Sequence, residues 1–250
     1  MAEDLATLIK TGLKTRFIGR EIIYLPSVTS TMDAARDEAL NGAAEGTVII
    51  AGEQTAGRGR LKRRWLAPEG NISLSIVLHP DTKNLPYLIM IASLAVVKSI
   101  KRTAGAAGQI KWPNDVLIDG KKVCGILIEN EMRGNNVAYS VMGIGINVSL
   151  KVNDYNEIAQ TATSLFADRI VLIRALLEEF DVLYQKLPDG NVIYKDWRNN
   201  LVTLGKKVKA TWGKQIIEGV AENVDEDGAL IIRGEDGTLT KVVAGDVTLQ

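Results

Sequence analysis

The sequence has a single cysteine, Cys124, in 250 residues. One thiol excludes an intrachain disulfide and suits a reducing, cytoplasmic setting. Net charge is also missing, because 30 basic residues face 30 acidic ones. That balance argues against a protein that is basic as a whole, though not against a local patch. No charged n-region followed by an apolar h-region opens the chain, so no secretory signal is evident. The longest apolar run, YLIMIASLAVV at 87–97, is too short to span a bilayer and suits a buried helix. Two nucleotide-binding fingerprints are absent. G-x-x-x-x-G-K-[ST] occurs nowhere, and GIGINV at 143–148 fails G-x-G-x-x-G at its last position. What is abundant is apolar residue, 46% of the chain, enough to bury a proper core.

Residues 3–14 have helical spacing, with Leu5, Leu8, Ile9 and Leu13 on one side. A short strand at 21–31 runs into a Ser/Thr-rich turn, where Thr29, Ser30 or Thr31 can cap a helix that stops at Gly42. The apolar run at 46–54 predicts a strand buried on both faces, and the alternation at 71–80 another strand ended by Pro80. A long helix is expected from about Leu85 to Arg102, with Pro86 in its first turn. Residues 110–148 predict an antiparallel meander with a hairpin turn at Asp119–Gly120. Helices are expected at 168–186, capped by Asp168, and at 190–200. The last fifty residues change to about five short strands with Gly-containing turns, as in a small β-barrel. The class is α+β: a mixed or antiparallel sheet with flanking helices, then the barrel. A boundary near Leu201–Gly205 separates 1–200 from 201–250.

Three clusters stand out. GRGRLKRRW, at 57–65, gathers Arg58, Arg60, Lys62, Arg63 and Arg64 on one Gly-rich loop. Gly57 and Gly59 allow positive φ and close backbone approach to a ligand, and the guanidinium forks suit carboxylate and phosphate oxygens. Alone, such a run reads first as a solvated loop and next as a nucleic-acid backbone contact. KWPND, at 111–115, places Lys111 at a strand end and Asp115 at the start of the next, with Lys122 just past the hairpin turn. GIGIN, at 143–147, puts Gly143 and Gly145 on one strand face. That face either accommodates a packed neighbour or leaves room for a flat ligand, with Asn147 at its edge. His79, the lone histidine, falls at a strand end and reads as structural.

Taken in order, STMDAAR, GEQTAGRGR…W, KWPND, DGKKVCGILIE, GIGINV and ATSL (162–165) resemble the biotin–protein ligases, also called biotin–[acetyl-CoA-carboxylase] ligases. The resemblance covers the chain from about residue 22. It implies a class II synthetase-like catalytic domain and an SH3-like C-terminal barrel. It also implies the chemistry. Biotin's carboxylate attacks the α-phosphate of ATP, giving biotinyl-5′-AMP and pyrophosphate, and a lysine of a biotin carboxyl carrier domain then displaces AMP. Two anions must meet in the first step, and a unit charge pair at about 4 Å is worth about 4 kcal/mol at an effective dielectric near 20. A cationic loop and Mg²⁺ answer that repulsion.

The resemblance implies that Ser30, Thr31 and Gln54, beside Met32, contact the biotin head group. Gly57, Arg58, Gly59 and Arg60 form a loop closing over biotin and adenylate, with Trp65 at its hinge or in the site wall. Lys122 is expected beside the biotin carboxylate and α-phosphate, and with Arg58 and Arg60 carries the catalysis. Lys111, Asn114 and Asp115 fall near the phosphates, Asp115 being the metal candidate. Gly125, Gly143 and Gly145 leave space for ligand, and Asn147 bonds the adenylate. Cys124 is a small core residue. The family's loop commonly has a third glycine where this chain has Lys62. A homodimer is implied as possible, and neither a membrane partner nor sequence-specific DNA binding is expected, because only about twenty residues precede the catalytic part. Two rivals remain: a lipoate ligase or octanoyl transferase, and a non-enzymatic nucleic-acid binder.

Overall fold

The computed structural model describes residues 5–213 and 215–249. Seven strands form the main sheet in the order β1-β2-β3-β7-β6-β5-β4. They are β1 (Ile22–Val28), β2 (Val48–Gln54), β3 (Ile72–Leu78), β4 (Gln109–Lys111), β5 (Asp115–Ile118), β6 (Lys121–Arg133) and β7 (Asn136–Ile146). β1 and β2 are parallel, and every other pair is antiparallel. β4 to β7 are the expected meander. Its β5–β6 turn takes positive φ at Asp119 and Gly120, as a two-residue hairpin requires.

Helices cover both faces. On one side α3 (Leu85–Ala104) and α4 (Arg169–Tyr184) share a core with Ile72, Leu74, Ile76 and Leu78 of β3. On the other, α2 (Thr31–Leu40) packs on Ile49, Val77 and Val141. The alternation in β3 therefore does not mark a solvated face, since all seven of its residues are buried. Ser73 and Ser75 alternate with the aliphatics because they face the α2 side, where the pocket lies.

The helix ends follow local chemistry. Ser30 caps α2 by accepting from Met32 N, and Asp168 caps α4 by accepting from Val171 N. Gly105 ends α3 in the left-handed conformation. By length and composition α3 could cross a bilayer, but most of its apolar window is buried inside the fold. The first helix, α1 (Leu5–Lys10), is shorter than the 3–14 expected, and residues 3–4 lie outside the described ones. After it, the buried Asp181 of α4 accepts backbone N–H bonds from Arg16, Phe17 and Ile18, which pins this segment to the core.

α5 (Gly190–Asn199) leads to five antiparallel strands, β8 (Lys207–Trp212), β9 (Gln215–Val224), β10 (Leu230–Arg233), β11 (Leu239–Val242) and β12 (Asp246–Leu249). Their order is β11-β10-β9-β8-β12, and among the described residues no pairing joins β11 to β12.

Candidate active site

The floor of the main pocket is two cross-strand rows. Asp115 pairs with Gly125, Gly125 with Gly145, and Gly145 with Ser73. One step along, Leu127 pairs with Gly143 and Gly143 with Ser75. Strand period two brings the small residues to one face, and the sheet there has almost no side-chain height. The space above is about 780 Å³, a figure that includes its open mouth.

The height the glycines leave is partly taken by named neighbours. A Cβ on Gly143 would stand 2.6 Å from Met32 Sδ, and one on Gly145 2.4 Å from Trp65 Nε1. Above Gly125 lie both the Trp65 ring and the Lys122 side chain. Lys122 Nζ sits 5.5 Å from the Trp65 ring centroid and 2.6 Å from Asp115 Oδ1. That last contact is an ion pair off hydrogen-bond geometry, since Asp115 Oδ1 counts as buried without a hydrogen-bond donor. The ATSL segment holds the lysine. Lys122 N donates to Thr161 O, and Thr163 N to Lys122 O.

At another wall Thr31 donates from its N–H and hydroxyl to Gln54 Oε1, at 2.8 and 3.1 Å. Ser75 Oγ in turn donates to Thr31 Oγ1 at 2.8 Å. Gln54 is thereby fixed with its carbonyl oxygen on Thr31 and its amide nitrogen turned away from it.

The 57–65 loop is a narrow hairpin. Gly59 N donates to Arg63 O and Trp65 N to Gly57 O. Gly57 is needed for this approach, because a Cβ there would fall 2.6 Å from Trp65 O. Arg58 pairs with Asp33 at 2.9 Å, and Glu129 lies 3.7 Å from its other nitrogen. Arg36 bridges the same two carboxylates. Arg60 donates to Asn114 Oδ1 at 3.0 Å and to Gly245 O at 2.9 Å. Burial lowers its pKa, against the opposing charges of Asp246 and Asp115 and with help from Arg63. Arg63 pairs with Asp246.

Ser30, Thr31, Met32, Gln54, Arg58, Gly59, Arg60, Trp65, Asn114, Asp115, Lys122, Gly125, Gly143 and Gly145 all line this pocket. Gly57, Lys111 and Asn147 do not. Asn147 is buried and donates from Nδ2 to Thr163 O, so its amide splints the end of β7. Sequence reasoning missed Ser73, Ser75 and Asp246. The serines carried a signal, since they alternate within an aliphatic strand. Asp246 carried none, for it reaches the loop from the far end of the chain. Cys124 is fully buried, and burial pushes its thiol up, as fits a core residue. His79 sits beside Glu45, 3.3 Å from its carboxylate.

Trp65 Nε1 is a buried donor in the pocket wall without a hydrogen-bond partner, and Arg58 Nη2 has only Glu129, at 3.7 Å. Asp115 Oδ1 and Asp246 Oδ2 meet Lys122 and Arg63 as ion pairs, outside hydrogen-bond geometry. Unmet donors in a cavity suit a ligand that accepts. No group of three metal-ligating side chains occurs among the described residues. Asp115 and Asp246 are the carboxylates in the wall, which fits a metal that arrives with phosphates rather than one held in a protein cage.

Comparison with known proteins agrees with this geometry. The Biotin/lipoate A/B protein ligase family matches residues 24–147, and the Biotin protein ligase C terminal domain matches 203–249. The bifunctional ligase/repressor BirA of Bacillus subtilis (strain 168) is 36% identical, over 96% of this chain and 78% of its own. The biotin–[acetyl-CoA-carboxylase] ligase of Mycobacterium tuberculosis is 31% identical, over 96% of this chain and 95% of its own. The structure of the Aquifex aeolicus biotin protein ligase in complex with biotin and ATP superposes with a TM-score of 0.78 at 28% identity, covering 92% of this chain and 99% of that one. Sequence, fold and pocket thus converge, and the chain belongs to the biotin protein ligase family.

Proposed function

We propose that this protein joins biotin to ATP as biotinyl-5′-AMP and then transfers biotin to a lysine of a biotin carboxyl carrier domain. The observation that carries the reading is the Trp65–Lys122–Asp115 group standing over Gly125 and Gly145, between the Thr31–Gln54 wall and the arginine loop. The Thr31 and Gln54 groups offer both donors and acceptors, as a ureido ring needs. Lys122 lies where a carboxylate would meet a phosphate. In the first step a biotin carboxylate oxygen bonds to the α-phosphorus, and the bond to the pyrophosphate oxygen breaks. Lys122 and Arg60 stabilise charge building on the phosphoryl oxygens, preorganised by Asp115 and Asn114. In the second step the acceptor amine attacks the acyl carbon, AMP leaves, and the amine's proton is lost. Mg²⁺ bound with the nucleotide would further neutralise the phosphates, and Asp115 would be the residue to meet it.

In this scheme residues 1–200 hold the chemistry and 201–250 form a small domain that reaches the pocket wall through Asp246. Arg58, sequestered by Asp33 and Glu129, is a brace for the loop until an anion competes for it. Sequence-specific DNA binding is not expected, and a gel-shift titration tests that. The setting we propose is cytoplasmic, and a homodimer is tested by sedimentation.

Biotin-dependent exchange of pyrophosphate into ATP tests the reading directly. Exchange supported by lipoate and not by biotin would sink it. Lys122→Ala is expected to slow adenylate formation by more than about tenfold, the loss of at least about 1.4 kcal/mol of transition-state stabilisation. A normal burst of biotinyl-AMP in that variant would remove Lys122 from the mechanism.

A further inference from the structure

The 57–65 loop is clamped from two sides. Arg58 ties one leg to Asp33 of α2 and faces Glu129 of β6. The other tie runs to the C-terminal sheet, about 180 residues further along the chain. Arg60 donates to Gly245 O, and Arg63 pairs with Asp246. Asp246 faces both of these arginines, which stand close enough to each other to repel.

The anchor on the C-terminal side is the start of a strand. Asp246 opens β12 and is paired across to Thr211 of β8. Gly245 has φ +148°, and a Cβ there would meet Thr211 O at 2.4 Å. The backbone that Arg60 reaches is thus packed closely against β8. On the loop side Arg63 is 68% exposed, against 28% for Asp246. Exposed ion pairs add little to global stability. A pair that joins a strand start to the tip of a hairpin loop instead biases whether that loop stays down.

We infer that Asp246 is a positioning residue. From the C-terminal sheet it holds the 57–65 loop over the pocket, through Arg63 and beside Arg60, and so slows escape of the bound adenylate. This rests on the function proposed above. The C-terminal sheet then contributes to retention of the reactive intermediate until an acceptor arrives. A mixed anhydride released early is lost to water.

The test uses the full chain and two rates, biotin-dependent pyrophosphate exchange and release of radiolabelled biotinyl-AMP. For Asp246→Asn the ratio of release to formation is expected to rise on the order of fivefold, the scale of one partly exposed ion pair. Asp246→Glu, which keeps the charge, should restore slow release. Arg63→Ala probes the pair from the loop, where it cannot disturb the C-terminal sheet. It should show the same faster release, and the double variant should be no worse than either single one. Potassium chloride should hasten release from the wild type more than from Asp246→Asn, because the screened pair is already gone. Wild-type release in both single variants would overturn the inference, and so would strictly additive effects in the double variant. A wild-type protein that makes no biotinyl-AMP at all would instead refute the proposed function.

Discussion

Gly143 and Gly145 are two positions apart on one strand, yet what lies above them differs in how far it can yield. Over Gly143 sits Met32, an unbranched thioether that can rotate aside. Over Gly145 sits the Trp65 indole, with three ring atoms within 2.8 Å of a would-be Cβ. Gly145→Ala should displace the indole by about 1 Å and slow adenylate formation at least tenfold. Gly143→Ala should cost less than about threefold, since a rotamer change of Met32 absorbs the methyl. Burst measurements on both variants check the order, and equal effects would show that Trp65 is not a fixed wall. Both readings of the glycine pair at the sequence level thus hold in part, for the space is there and two side chains enter it.

Lys62 is also explained by its backbone. Leu61 and Lys62 have φ of 53° and 59°, in the left-handed region that favours glycine. The usual glycine of the family loop thus has a conformational reason, and this chain meets it with a strained lysine. Lys62→Gly should leave the melting temperature nearly unchanged. The relief of about 1 kcal/mol is offset by about 0.5–1 kcal/mol of added chain freedom. Lys62→Ile, branched at Cβ, should open the hairpin and speed amide exchange at Gly59 and Trp65, whose N–H groups bond to Arg63 O and Gly57 O. Unchanged protection at both amides would show that the turn does not depend on residue 62.

At the scale of elements, β3 shows what the sequence could and could not tell. Its strand character was plain, and so were the β4–β7 meander, the Asp119–Gly120 turn and the Asp168 cap, because each is local chemistry; the α2 cap was narrowed to three neighbours, of which Ser30 is the one used. The burial of the strand's polar face was not plain, since α2 covers it from forty residues upstream. Ser75 matters for that reason. It is fully buried, and its hydroxyl holds Thr31, which holds Gln54. Ser75→Ala removes one bond worth about 1 kcal/mol without emptying the strand. The KM for biotin should rise about fivefold, with kcat changed little. A fall in kcat at constant KM would instead assign Ser75 to the chemical step. Asp246 marks the opposite limit, for no periodicity links a carboxylate near the C-terminus to a loop after β2.

At the scale of the whole molecule, the boundary near residue 201 is a change of architecture rather than a break in the core. One buried cluster runs from Leu94 and Ile110 through Trp197 to Val208, Ala221 and Leu230. Polar ties cross the same line. Trp112 N donates to Thr203 Oγ1 and Trp112 Nε1 to Gly228 O, at 2.9 and 2.8 Å. Ile110 exchanges backbone bonds with Asn200 and Val202, and Tyr194 OH donates to Val224 O. With so much shared burial the C-terminal sheet has little reason to unfold by itself, and calorimetry should show one cooperative transition. Trp112→Phe tests the seam. It keeps most of the ring, deletes the bond to Gly228 and leaves a small void, for a cost of about 2 kcal/mol. In a chain of this length that lowers the melting temperature by about 4–8 °C. The transition should shift as one. If it splits, with 201–250 melting first, the sheet is a separately folding unit leaning on the site, and its hold on the 57–65 loop would then vary with its own stability.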